Sequence, residues 1–182
     1  AGPSGVGKTE TAHTIADILY GGEKFITTVN MTEFQEKHTI SRLIGSPPGY
    51  VGYGEGGQLT DPVRIKPYSV VLLEEIEKAH PDILNLFYQI FDKGVANDGE
   101  GREIDFSNCT FLLTSNLGTQ EITQMYAENT DISMQELISV ITPALTSFLK
   151  PALLGRMNVI PYSNLKASAL EKIVQIKLRF VE

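Results

Sequence analysis

The feature that most constrains this chain lies in its first nine residues, where Gly2-Pro3-Ser4-Gly5-Val6-Gly7-Lys8-Thr9 reads Gly-x-x-x-x-Gly-Lys-Thr. That spacing has a mechanism. Glycines let successive backbone N–H groups turn inward around a phosphate, and the helix that follows adds its positive end. Lys8 then reaches the β- and γ-phosphates of ATP, and the Thr9 hydroxyl is a ligand for Mg²⁺. A Gly-rich turn before an ordinary helix would not require all four fixed positions. Only one residue precedes Gly2, where the motif asks for a strand. The chain as given is therefore expected to be a trimmed piece of something longer.

The remaining pattern supplies the α/β frame such a loop needs. Ala12, Ile15, Ala16, Ile18 and Leu19 recur at helical spacing, and Gly21-Gly22 stops that helix at Tyr20. Residues 25–29 read as a short strand, and Thr32 with Gln35 as a capping box opening a helix toward Ile44. A short helix is expected over 59–65, with Pro62 in its first turn or breaking it. Residues 69–73 form an apolar run ending in Glu74-Glu75, as in a strand buried on both faces. Pro81 starts a helix that Gly94 ends, and Asp98-Gly99 signals a hairpin within 95–106. A second buried strand is expected over 109–114, and helices near Glu121 and over 133–149, the latter strained by Pro143. Residues 157–160 read as a last strand and 166–181 as a last helix. Alternating strands and helices favour a mostly parallel sheet covered on both faces.

Composition narrows the function classes. With 42% hydrophobic and 20% charged residues, the 182-residue chain can bury the core of one domain and has length for a fragment of a second. A net charge of −7 argues against a nucleic-acid groove, which asks for a basic face. The single Cys109 cannot close an internal disulfide, consistent with a reducing cytoplasm. No run approaches the ~20 apolar residues of a membrane-spanning helix, so no membrane partner is expected.

A phosphate loop alone hydrolyses nothing; it needs acids at the end of a neighbouring strand. Glu74 is placed to meet the Mg²⁺ shell, and Glu75 to polarise the attacking water as a general base. Asn116 follows the 109–114 strand, where its amide either orients water and the γ-phosphate or caps the next helix. Arg156 lies between a helix and a strand. It reads either as an ordinary surface arginine or as a charge delivered to a neighbouring subunit's phosphate. Six glycines and two prolines in residues 45–57 forbid regular structure there, yet the loop carries Tyr50 and Val51. An aromatic and a branched aliphatic on such a loop either pack down or grip an extended polypeptide without reading its sequence. No Asn-Lys-x-Asp guanine-reading motif is present.

In order, spacing and wording these motifs resemble the second ATPase module of the Clp family of AAA+ protein unfoldases. The resemblance covers residues 2–11, 45–57, 68–85, 98–106 and Thr114-Ser115-Asn116-Leu117-Gly118. It implies Walker A at Lys8 and Thr9, Walker B at Glu74 and Glu75, and sensor one at Asn116. It further implies an arginine finger at Arg156 and a substrate-pulling pore loop at Tyr50-Val51. Also implied are a three-layer AAA+ large subdomain over 1–165, the start of a small helical subdomain over 166–182, and a homo-oligomeric, hexameric ring acting on polypeptide in the bacterial cytoplasm. Within the family, residues 8–12, 91–94, 99–106 and 150–156 are worded most like the ClpV branch, which recycles contracted type VI secretion sheaths. The ClpB disaggregases are the runner-up, and a nucleotide-binding assembly module with little hydrolysis is the rival of another class. Two departures stand out: the family's usual Asp-Glu is here Glu74-Glu75, and Pro62 falls in a stretch the family keeps helical. The first strand and most of the small subdomain are expected to lie outside the chain, leaving it weak in ATP binding on its own.

Overall fold

The computed structural model describes residues 1–129, 131–165 and 167–178. Helix α1 (Lys8–Tyr20) leads to strand β1 (Ile26–Asn30), helices α2 (Ile40–Ile44) and α3 (Thr60–Ile65), and strand β2 (Val70–Glu74). Helix α4 (Pro81–Lys93) precedes strands β3 (Val95–Asn97), β4 (Glu103–Asp105) and β5 (Thr110–Leu113). Helices α5 (Thr119–Glu128), α6 (Met134–Thr146), α7 (Pro151–Leu154) and α8 (Ala167–Leu178) follow. The parallel sheet has the order β1-β2-β5, with Asn30 opposite Glu74 and Leu73 opposite Leu113. Strands β3 and β4 form a separate antiparallel hairpin.

The sheet sits between helical layers because its central strand is apolar on both faces. Val71 and Leu73 of β2 join Val29 of β1 and Ile83, Leu84, Phe87 and Ile90 of α4 in one core. Each such side chain, once buried, contributes about 1.5–3 kcal/mol. On the alternate face, Leu72 lines the same cavity as Ala12 and Ile15 of α1. α1 buries only Ala12 and Ala16, so small residues let it lie close to β2. A second cluster joins Ile122 of α5 to Leu137, Ile141 and Leu145 of α6. Strand β5 is half-buried along its length, not fully buried as its apolar run suggested.

Several local expectations are corrected. Thr32 and Gln35 form no capping box: the Asn30 side chain accepts from the Thr32 N–H (3.0 Å) and hydroxyl (2.7 Å) instead. That local bond turns the chain through 3₁₀ turns Met31–Glu33 and Lys37–Thr39 before α2 begins. The reciprocal capping box lies at Ser133 and Glu136, which start α6. Pro62 falls in the first turn of α3, where its missing N–H costs nothing. The hairpin signalled by Asp98-Gly99 exists, but its connection spans 98–102 and the left-handed glycine is Gly101, at φ +83°.

Residues 157–160 form no strand. A strand exists by its ladder, and among the described residues the rungs here come from Ala1, whose N donates to Ile160 O (2.9 Å) while Tyr162 N donates to Ala1 O (2.8 Å). Leu112 of β5 and Asn158 both line the cavity beside α1. The expected last helix appears as α8, while Lys166 and residues 179–182 lie outside the described residues.

Candidate nucleotide-binding site

The Gly-rich loop, Lys8, Thr9, Glu74, Glu75 and Asn116 sit at the C-terminal ends of β2 and β5 and the N-terminus of α1. Gly7, the residue that caps α1, adopts φ +96° and offers no side-chain cap, so the first N–H groups of α1 have no side-chain cap across them. At the other end of the loop Gly2 (φ +133°) donates its N–H to Ser115 O at 3.0 Å, and a β-carbon there would drive into the Tyr162 carbonyl. Pro3 is buried, Val6 half-buried, and Ser4, Gly5 and Gly7 are exposed. The loop is pinned at both flanks and open at its crown.

Lys8 bends back over this loop. Its ammonium donates to the carbonyls of Gly2 and Pro3 (2.9 Å for Pro3) and to Asn116 Oδ1 at 2.8 Å. Partial burial lowers its pKa, against the opposing pull of the Glu77 and Glu75 carboxylates. The Asn116 side chain thus meets Lys8 and caps no helix: α5 is preceded by Gly118, without a side-chain cap.

Thr9 meets Glu74 directly, with its hydroxyl donating to Glu74 Oε1 at 2.5 Å across 65 positions of sequence. The extra methylene of glutamate over aspartate still brings the carboxylate to Thr9. A hydroxyl beside one carboxylate, facing the Gly-rich loop, is a pair of oxygen donors that would suit Mg²⁺, which would neutralise phosphate charge there. Among the described residues no group of three or more His, Cys, Asp or Glu is placed to hold a metal ion.

Glu75 adopts φ 52°, ψ 52°, the one left-handed non-glycine among the described residues. Such a conformation costs on the order of 1–3 kcal/mol and must be held by its surroundings. Thr114 does the holding: its hydroxyl accepts the Glu75 N–H at 3.2 Å and its carbonyl accepts the Ile76 N–H at 3.0 Å. The turn breaks the extended line of β2 at Glu75. Sequence reading missed Thr114 and also Glu77, whose Oε1 accepts the Asn116 N–H at 3.0 Å. Their only signal was proximity to Glu75 and Asn116; the bonds cross 39 positions.

Two sequence candidates lie apart from this cluster. Arg156 donates from Nη1 to Asp92 Oδ1 at 2.9 Å, at the exposed C-terminal end of α4, and makes no bond to residues 2–9. Tyr50 and Val51 are 71% and 99% exposed, so the loop does not pack its apolar tip down. Its base is tied by Gly45 N to Ser41 O (2.8 Å), Leu59 N to Leu43 O (2.9 Å) and Gly99 N to Ile44 O (2.8 Å).

A parallel sheet between helices, with a Gly-Lys-Thr loop facing strand-end acids and an Asn, defines an ATPase domain of the P-loop, AAA+ class. Residues 1–160 match the family model described as AAA domain (Cdc48 subfamily). The chain belongs to that family, and within it to the Clp group of AAA+ ATPases. It is 57% identical over 178 residues to the chaperone protein ClpB of Yersinia enterocolitica, covering 97% of this chain and 20% of that protein. It is 56% identical over 180 residues to the AAA+ ATPase ClpV1 of Pseudomonas aeruginosa, covering 98% and 20%. A closed-state cryo-EM reconstruction of Hsp104 with ATPγS and FITC casein superposes with a TM-score of 0.86 at 39% identity, covering 100% of this chain and 31% of that one. The chain spans about a fifth of the length of the curated relatives it matches. Among the described residues no helix is long and apolar enough to cross a membrane.

Proposed function

We propose that this chain is the motor domain of an ATP-driven protein translocase that threads polypeptide through a ring, in the assembled full-length protein. The observation that carries the reading is the convergence on one loop of the Lys8–Asn116 and Thr9–Glu74 pairs with Glu75 turned out beside them. In this reading the Gly2–Thr9 backbone and Lys8 bind the β- and γ-phosphates, and a phosphate entering the loop takes Lys8 from the carbonyls it now holds. Thr9 and Glu74 hold Mg²⁺, which when bound neutralises phosphate charge. Asn116 orients the γ-phosphate, and Glu75 accepts the proton of the attacking water. Arg156 acts on the neighbouring subunit of a homo-oligomeric, hexameric ring, and Tyr50 with Val51 grips the polypeptide. Residues 1–165 form the large subdomain. Residues 166–182 begin the small one, supported by the exposed Leu170, Ile173, Val174, Ile176 and Leu178 of α8.

Support for the polypeptide substrate comes from the exposed aromatic loop and from the likeness to an Hsp104 assembly solved with casein. The finer reading is a ClpV-type disassembly of contracted type VI sheaths in the bacterial cytoplasm. The near-equal identities of 57% to a ClpB and 56% to a ClpV1 keep a ClpB-like disaggregase as the second reading. Binding of sheath protein by the full-length N-terminal region separates the two: capture favours the first, and its absence the second. ATP turnover in the full-length protein, with Glu75→Gln as control, tests the motor itself. Removing a general base is expected to lower turnover by about 10²–10⁴-fold while ATP still binds. Turnover no greater than that of the control would leave an assembly module that uses ATP only as glue.

A further inference from the structure

Glu77 is the third carboxylate at a site built to receive a polyanion, and neither metal binding nor base chemistry uses it. Its Oε2 is shut off from solvent and has no hydrogen-bond partner among the described residues, an arrangement that a merely solvated acid would avoid. The ladder between β2 and β5 explains what its other oxygen does. The last regular rung in this direction is Thr114 N to Leu73 O, at 2.9 Å. The next N–H pointing the same way is that of Asn116, two residues on. By then β2 has ended and Glu75 has turned the backbone into the left-handed region, so no main-chain carbonyl continues the ladder. Glu77, on the 3₁₀ turn Ile76–Lys78, places Oε1 where that carbonyl would have been, 3.0 Å from the Asn116 N–H. Three residues beyond the end of β5, the backbone of Asn116 is thereby fixed. Its side chain runs from that fixed point to Lys8 Nζ at 2.8 Å.

We infer that Glu77 is a positioning residue: it replaces a missing ladder rung so that Asn116 points at Lys8 and at the γ-phosphate beside it. The inference rests on the ATPase reading and adds a residue to it. Position and charge predict opposite orders for two conservative variants. Glu77→Gln keeps the reach and the acceptor oxygen but loses the charge. Glu77→Asp keeps the charge but withdraws the acceptor by about one methylene, a misplacement of the size that costs activity.

The test is steady-state ATP turnover of the full-length assembled protein carrying each variant. Glu77→Asp is expected to lower kcat about tenfold with KM within about twofold, and Glu77→Gln to stay within about threefold of wild type. In an Asn116→Ala background the Asp substitution is expected to change kcat less than about twofold, because its effect passes through the missing side chain. Three results would overturn the inference: Gln impaired as much as or more than Asp, Asp without effect on kcat, or an Asp loss undiminished by Asn116→Ala. Should Glu77→Asp fail to fold, the Gln variant decides alone: within threefold supports positioning, and a tenfold loss refutes it. Wild-type turnover no faster than that of Glu75→Gln would instead refute the ATPase reading underneath. Failure of the Glu77 role alone leaves wild type active.

Discussion

The phosphate site and the 45–57 loop are both rich in glycine, yet they are built in opposite ways. In the site, segments distant in sequence are stitched together: Gly2 to Ser115, Lys8 to Asn116, Thr9 to Glu74, Glu75 to Thr114 and Asn116 to Glu77. In the loop the long-range ties stop at its base, and the crown is held by short turns of its own, Tyr50 N to Pro47 O, Tyr53 N to Tyr50 O and Glu55 N to Gly52 O, each 3.2 Å. Chemistry at developing charge needs groups that do not reorganise, whereas a loop that is proposed to grip polypeptide would have to move with it. Glycine therefore serves two ends here. At Gly2 and Gly7 it admits one unusual backbone shape beside the site, and in residues 45–57 it admits a run of short turns at positive φ.

The largest expected effects are reciprocal. Lys8→Ala removes the ammonium that donates to Asn116 and strands the Gly2 and Pro3 carbonyls it satisfies. Losing a partly buried charge partner is worth about 3–5 kcal/mol, so kcat/KM for ATP should fall by roughly 10²–10⁴-fold. Tyr50→Ala should leave ATP turnover within about twofold while abolishing polypeptide threading, since one exposed side chain away from the site is being removed. Both are measured on the full-length protein, by phosphate release and by unfolding of a fluorescent substrate. Threading that survives Tyr50→Ala would show that the grip lies elsewhere. A large loss of turnover would show that the two regions are not separate.

The contrast also sets what could be read from the sequence. The phosphate loop was legible because its residues are contiguous and its geometry follows from glycine and from the helix that comes next. Strand β2 was legible because four apolar residues followed by two acids fit few other roles. Thr114 and Glu77 were not legible, because their importance lies in Glu75 adopting φ 52° and in a ladder that ends one rung early. Neither fact has a local signature. The expected strand at 157–160 failed for a related reason: its apolar residues suit a strand, but a strand also needs a neighbour, and pairing is not written in the strand itself. At Thr32 a capping box lost to the Asn30 side chain, two residues upstream, which reached the same N–H first.

A middle-sized effect tests whether the loop's base is as firm as its crown is loose. The hairpin β3–β4 leans on that base: a β-carbon on Gly99 would fall on the backbone of Gly45 and Ser46, closer than any real contact. Asp98 beside it is pushed up by burial, but Arg102 and the N–H groups of residues 100 and 102 outweigh this and hold its carboxyl below the usual range. The turn is stiff and cannot simply yield. Gly99→Ala should cost about 1–3 kcal/mol of overpacking, lower the thermal unfolding temperature, and slow threading more than it slows ATP turnover. Turnover and threading falling in equal proportion would mean that the strain reaches the site, and the division between the two regions would have to be redrawn.

The smallest effect concerns Arg156, which belongs to neither region as the chain stands alone. Its partner Asp92 is exposed, and so is the arginine, so the pair at 2.9 Å contributes at most about 1 kcal/mol and weakens with salt. Asp92→Asn should therefore leave stability almost unchanged. Its value lies in the sign of the change in turnover. An arginine that must leave Asp92 to reach a neighbour's phosphate gains when Asp92 is neutralised. Turnover of the assembled protein should then hold or rise by about two- to threefold at low ionic strength, and the gain should vanish in high salt, where the competing pair is already screened. An arginine that Asp92 holds in its working position loses instead, and the loss persists in high salt because it is geometric. A fall in turnover would place Asp92 with Thr114 and Glu77 among the residues that fix the site, and would extend the stitched region to the far end of α4.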